Sequence, residues 1–120
     1  MTTIRHYTDI LAWQKGETLC SLLFVILKGN RDFSFVDQIK RSSMSILNNI
    51  AEGYGRYGVK EFRQFLTIAK GSNMETQSMV HLGFTLHHFT EKQRDDLVGL
   101  TDDINHLLKA LINSLKDFKK

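Results

Sequence analysis

A few residue types in this sequence could do chemistry, and their spacing restricts each one. Carboxylate-bridged metal centres in helical bundles use Glu-x-x-His on paired helices, with further Glu residues. The chain has no Glu-x-x-His; Asp103-Ile104-Asn105-His106 has the spacing once, with Asp in place of Glu. One half-motif reads as a solvated helix face, so no metal and no cofactor are expected. His81, His87 and His88 make no His-x-x-x-His pair. His87-His88 falls where a helix should end, and imidazoles there favour the negative end of the helix dipole. There is no Gly-x-Ser-x-Gly and no Gly-x-x-x-x-Gly-Lys-Ser/Thr. Gly53-Tyr54-Gly55-Arg56-Tyr57-Gly58 follows a helical segment rather than a strand, which excludes a dinucleotide loop. Cys20 lies in an apolar helix and reads as a small hydrophobe. An enzyme built on Glu52, Glu75 or His81 lacks paired acid-base or ligand spacing. No catalytic residue is expected.

Two polar patterns remain. Ser42, Ser45, Asn49 and Glu52 share one face of a helix, as do Arg41, Ser45, Asn48 and Glu52. Such residues are costly if buried unpaired. They form either a buried network that fixes helix register or the lining of a binding surface. The second pattern is charge. Lys28–Lys70 holds eight basic against four acidic residues, while Gly71–Leu107 holds two against six. That asymmetry fits solvated faces, complementary surfaces or a basic patch for a polyanion. The candidate phosphate contacts are Lys40, Arg41, Arg56, Lys60, Arg63 and Lys70, expected around the turn between the second and third helices. Tyr54 and Tyr57 are expected to pack or cap that turn, with stacking on bases as the alternative.

The elements that position these residues are helices. The chain of 120 residues contains no proline, so the strongest helix breaker is missing. Its length suits one domain, 1–120. Helical periodicity covers about 8–28, 34–54, 59–87 and 91–118, with breaks at Gly29-Asn30, Gly53–Gly58 and His87–Thr90. Thr8 or Asp9 can cap the first helix, Gly29 fits a left-handed position after it, Ser34 with Asp37 resembles a capping box, and Thr90 with Gln93 is one. The inner side of the third helix is marked by Phe62, Phe65, Leu66, Ala69, Met79, Val80 and Leu86. The clearest stripe runs Leu97, Leu100, Ile104, Leu107, Leu108, Leu111, Leu115, Phe118. Short connections imply an all-α, up-down-up-down antiparallel four-helix bundle. Gly71-Ser72 should let helix two approach closely.

Leu22, Leu23, Phe24, Val25, Ile26 and Leu27 cover the whole circumference of a helix, which points to an oligomer interface. The alternative is cover by Phe33 or Phe35. That run is far too short to span a bilayer, and no secretory signal is read at the start. With one unpaired cysteine, a cytoplasmic location and no membrane partner are expected.

The blocks Trp13-Gln14-Lys15, Gln38–Ser43, Asn49-Ile50-Ala51-Glu52-Gly53, Lys60-Glu61-Phe62 and Ile68-Ala69-Lys70-Gly71-Ser72, followed by Glu75, resemble the bacterial 23S rRNA-intervening-sequence proteins, or S23 family, along nearly the whole chain. The resemblance implies a four-helix bundle that assembles as a homopentamer, of unestablished biochemical function. Its polar motif face maps to Ser45, Asn49, Glu52, Ser72 and Glu75. It also brings a relative, the accessory protein of diversity-generating retroelements, which binds nucleic acid and a reverse transcriptase. Family members often carry proline where this chain has Leu47, and alanine where it has Gly16. Helix two should therefore be straight, and helix one locally weakened at Gly16. The leading expectation is a non-enzymatic oligomeric bundle binding RNA or a ribonucleoprotein. The alternative is a protein-interaction scaffold with no nucleic-acid role.

Overall fold

The structure, a computed structural model, describes residues 4–116. Four helices follow a short 3-10 turn at Tyr7–Asp9: α1 Leu11–Ile26, α2 Phe33–Tyr54, α3 Val59–Thr85 and α4 Glu91–Leu115. They pack as a four-helix bundle 48 × 23 × 20 Å in extent. Leu19 and Leu23 of α1, Ile39, Ile46 and Ile50 of α2, Leu66 and Val80 of α3, and Leu97, Ile104 and Leu108 of α4 are wholly buried at its centre. Neighbouring helices run antiparallel: Phe24 meets Lys40 while Gly16 meets Leu47, Ser42 meets Thr76 while Gly53 meets Phe65, and Phe84 meets Arg94 while Asn73 meets Thr101.

The periodic segments are helical as expected, but their ends differ. Asp9 does not cap α1. Its Oδ2 accepts the backbone N–H groups of Arg5 and His6 at 2.9 and 3.1 Å, closing the 3-10 turn. The Thr8 hydroxyl bonds to His6 Nδ1 at 2.9 Å, and its carbonyl accepts from Gln14 Nε2. So α1 starts three residues later than the periodicity suggested, with no side-chain cap at Ile10. It ends at Ile26, and Gly29 has the left-handed φ of +81°. α2 begins at Phe33, capped by Asp32, whose Oδ1 accepts from the Phe35 N–H. Asp37 instead pairs with Arg41, at 2.8 Å. Thr90 and Gln93 form the expected capping box. α3 stops at Thr85, and Phe118 lies outside the described residues.

The inner face of α3 also differs. It is Leu66, Ala69, Asn73, Thr76, Val80 and Gly83. Phe62, Phe65 and Met79 are half-buried on its flanks, and Leu86 is exposed. Asn73 Nδ2 donates to the Thr101 carbonyl and Thr76 donates to Ser42 across the bundle, which offsets part of the desolvation cost, while Asn73 Oδ1 is buried without a partner. α2 runs unbroken through Leu47. Gly16 explains itself here: a Cβ on it would sit 2.9 Å from Leu47 Cδ2. The two departures from the family pattern thus share one space, with the leucine side chain lying where an alanine methyl would go.

The end where α1 meets α2 and α3 meets α4 is tied by side chains. Asn30 Oδ1 accepts the Asp32 N–H at 2.8 Å, which turns its Nδ2 toward His88 Nδ1 at 3.0 Å. Nδ1 must therefore accept, and the Nε2–H donates to Asp32 Oδ2 at 2.8 Å. The imidazole stacks 4.6 Å from Phe35, and Phe89 is buried edge-on to the same ring. His88 is thus a bridge between two connections. His87 takes φ +64° to make the turn.

Candidate nucleic-acid interface

The opposite end is built around glycines. Gly53 packs so tightly on α3 that a Cβ there would lie 2.6 Å from Phe65 Cβ, an atom that cannot swing away. This approach seats Tyr54 edge-on to Phe62. Arg56 folds back, with Nη2 2.6 Å from Glu52 Oε2 and its guanidinium 5.1 Å over the Phe65 ring. Gly58, at φ +98°, then turns the chain into α3, which begins at Val59. Between these anchored residues Tyr57 packs on nothing: it is 97% exposed. The expectation that both tyrosines pack the turn holds for Tyr54 alone.

Of the six candidate phosphate contacts, three sit at this tip. Lys60 and Arg63 line an open groove of about 530 Å³ with Gln64, Thr67 and Ile68. Among the described residues neither makes an ion pair, and Arg63 Nε is enclosed without an acceptor. Arg56 is adjacent but paired. The others lie elsewhere. Lys40 and Arg41 fall more than a dozen residues before the end of α2, roughly 20 Å along its axis. Lys40 Nζ lies 4.2 Å from the Phe24 ring centre, and Arg41 is paired to Asp37. Lys70 is half-buried some three turns into α3. The charge window gathers these six in sequence, and antiparallel packing spreads them along the bundle.

The polar motif residues join helices. Ser45 and Ser72 hydroxyls meet at 2.8 Å, and Asn49 Nδ2 donates to the Ser45 carbonyl and hydroxyl. One turn away Thr76 donates to Ser42 at 2.8 Å. Asn73 donates to the Thr101 carbonyl, and Gln77 reaches Thr101 and Asp102 on α4. Ser43 touches the Cys20 thiol. A polar layer therefore crosses all four helices and fixes their register. Burial pushes the Cys20 thiol above its ordinary range; Ser43 opposes this and the Glu17 charge adds to it. Gly71 does not mediate the close approach, since nothing lies within 4 Å of where its Cβ would be. Glu75 is exposed and Glu52 is held by Arg56.

The apolar run Leu22–Leu27 divides. Leu23 and Leu27 enter the bundle's own core, Leu22 and Ile26 are half-buried, and Phe24 and Val25 remain exposed. Phe35 is buried, and Phe33 is largely exposed. A longer stripe escaped the sequence reading. Ile68, Ser72, Glu75, Met79, Leu82 and Leu86 repeat at 4-3-4-3-4 along α3, and Ile68, Leu82 and Leu86 are each about half exposed. Heptad spacing outside the inner face was the signal that could have found it. Among the described residues no group of three His, Cys, Asp or Glu is placed to hold a metal. None of their helices is long and apolar enough to cross a membrane.

A family model described as 23S rRNA-intervening sequence protein matches residues 8–110. No curated protein matches the chain. A solved structure of similar shape is that of a protein with unknown function from the S23 ribosomal protein family of Bacteroides thetaiotaomicron. It is 24% identical, covers 88% of this chain and 98% of its own, and superposes with a TM-score of 0.79. At that identity it speaks for the fold, and its helices and this bundle agree. With a family match over most of its length and the expected architecture, the chain belongs to the 23S rRNA-intervening sequence protein family.

Proposed function

We propose that this protein is a non-enzymatic, self-associating cytoplasmic bundle that binds RNA, alone or in a ribonucleoprotein, through the α2–α3 tip. The observation that carries the reading is the pair Lys60 and Arg63: two cations without carboxylate partners among the described residues, in one open groove. Paired cations elsewhere have their charge spent; these have it available for phosphates. Contacts of this kind are largely blind to sequence and weaken with salt. Repetition of the tip around an assembly, the ring of five that the family resemblance implies, raises weak binding by avidity. The test is a salt titration of binding to ribosomal RNA fragments. Lys60→Glu with Arg63→Glu should abolish binding at moderate salt. No binding by the wild type at low salt refutes the proposal.

The exposed stripe on α3 favours a second reading, a protein scaffold whose contacts are apolar and free of nucleic acid. Leu82→Glu with Leu86→Glu should then dissociate the assembly. In that case the Lys60 and Arg63 reversals leave partner binding untouched.

A further inference from the structure

Tyr57 is the feature that packing does not explain. The chain on both sides is anchored: Arg56 to Glu52 and Phe65, and, beyond Gly58, Val59 as the first residue of α3. The tyrosine itself is 97% exposed at the apex of the turn. A lone exposed aromatic is unremarkable in itself. This one stands three residues before Lys60, so at most roughly 10 Å of chain separates it from the first free cation. Arg63 and Gln64 follow one turn later on the same groove. Thr67 also lines the groove, on the exposed side of α3. Its hydroxyl donates its proton to the Arg63 carbonyl at 2.9 Å, which leaves its lone pairs to accept.

An aromatic face beside a short cationic track has a specific use. Bases in a duplex are stacked on one another and offer no free face, so a protein meets a duplex through its shape, phosphates and 2′-hydroxyls. Unpaired bases do offer a face, and stacking on an aromatic is tolerant of sequence. A membrane surface is a poorer match, because interfacial binding needs a helix with a broad apolar face opposite its cations.

We infer that the α2–α3 tip binds single-stranded RNA, with Tyr57 stacking on an unpaired base while Lys60 and Arg63 hold the flanking phosphates. Thr67 accepts from a ribose 2′-hydroxyl. This inference rests on the RNA-binding reading above and narrows it to a substrate class.

The experiment is fluorescence anisotropy on the full chain with one RNA sequence, offered single-stranded and as a duplex, at low and moderate salt. Wild type should prefer the single strand. Tyr57→Ala should weaken single-strand binding by roughly 5- to 100-fold and leave duplex binding unchanged. Tyr57→Phe, which keeps the ring, should restore affinity. Because the side chain packs on nothing, circular dichroism and the melting temperature should be the same in all three proteins. Equal wild-type affinity for single strand and duplex overturns the inference while leaving RNA binding intact. So does a Tyr57→Ala protein that binds as wild type does. Displacement of the RNA by polyglutamate at equal charge concentration also overturns it, and points to an acidic protein instead. Failure to bind either RNA at low salt overturns the broader proposal with it.

Discussion

The two ends of the bundle treat polar groups in opposite ways. At the His88 end each nitrogen of the ring has a partner, Asn30 serves both Asp32 and His88, and two aromatic rings close the space beneath. At the Tyr57 end glycines bring the backbone round, one arginine is tied down, and an aromatic and two cations are left open. The first arrangement contributes stability because every buried donor and acceptor is matched. The second contributes little to stability, which leaves its side chains free to meet something else. The contrast teaches where to look for binding in a protein with no catalytic motif: at groups the fold does not need.

Substitutions can break that contrast, and the largest effect is expected at the closed end. Phe89→Ala removes a buried ring and should cost about 3–5 kcal/mol in urea unfolding. His88→Ala takes away two hydrogen bonds and the stack on Phe35, and should cost about 1–3 kcal/mol by the same measurement. Asn30→Ala leaves the Asp32–His88 bond in place and should cost about 1 kcal/mol. At the open end Tyr57→Ala and Lys60→Ala should each stay within about 0.5 kcal/mol of wild type. A destabilisation at Tyr57 comparable to that at His88 would dissolve the distinction between the ends.

Between the ends, Cys20 offers a pH test. Its thiol is raised in the fold, so the unfolded chain loses the proton first. The stability this contributes is complete below the ordinary thiol range and falls as pH rises through it. Cys20→Ala should flatten the alkaline side of the stability profile, measured by urea unfolding at several pH values.

Helix number, order and type were legible because the apolar spacing follows a 3.6-residue period through Ile39, Ile46 and Ile50 and through Leu97, Ile104 and Leu108. Helix starts were less legible. Asp32 and Ser34 are both good cap residues, and the choice falls to the backbone turn at Asn30–Asp32. The inner face of α3 misled because size suggested Phe62 and Phe65. The close approach at Gly53 instead places both on the flank facing α2. The polar layer was anticipated in part, since Ser45 and Ser72 each stood out, but their pairing depends on a register that only the packed bundle supplies. The binding candidates shrank for a geometric reason. Residues near in sequence to a turn are near in space only within a few helical turns of it, and Lys40, Arg41 and Lys70 lie beyond that reach.

Gly16 and Leu47 carry a consequence for building with this fold. Their side-chain space is shared across two helices, so α1 and α2 are not interchangeable modules. A chimera that takes α1 from a relative with alanine at this position would bring a methyl group within 2.9 Å of Leu47 Cδ2, so that the leucine side chain must shift or α2 must come with it. Exchange of the two helices as a hairpin keeps this fit, while the closer approach of Gly53 to Phe65 ties the second half of that hairpin to α3 in turn.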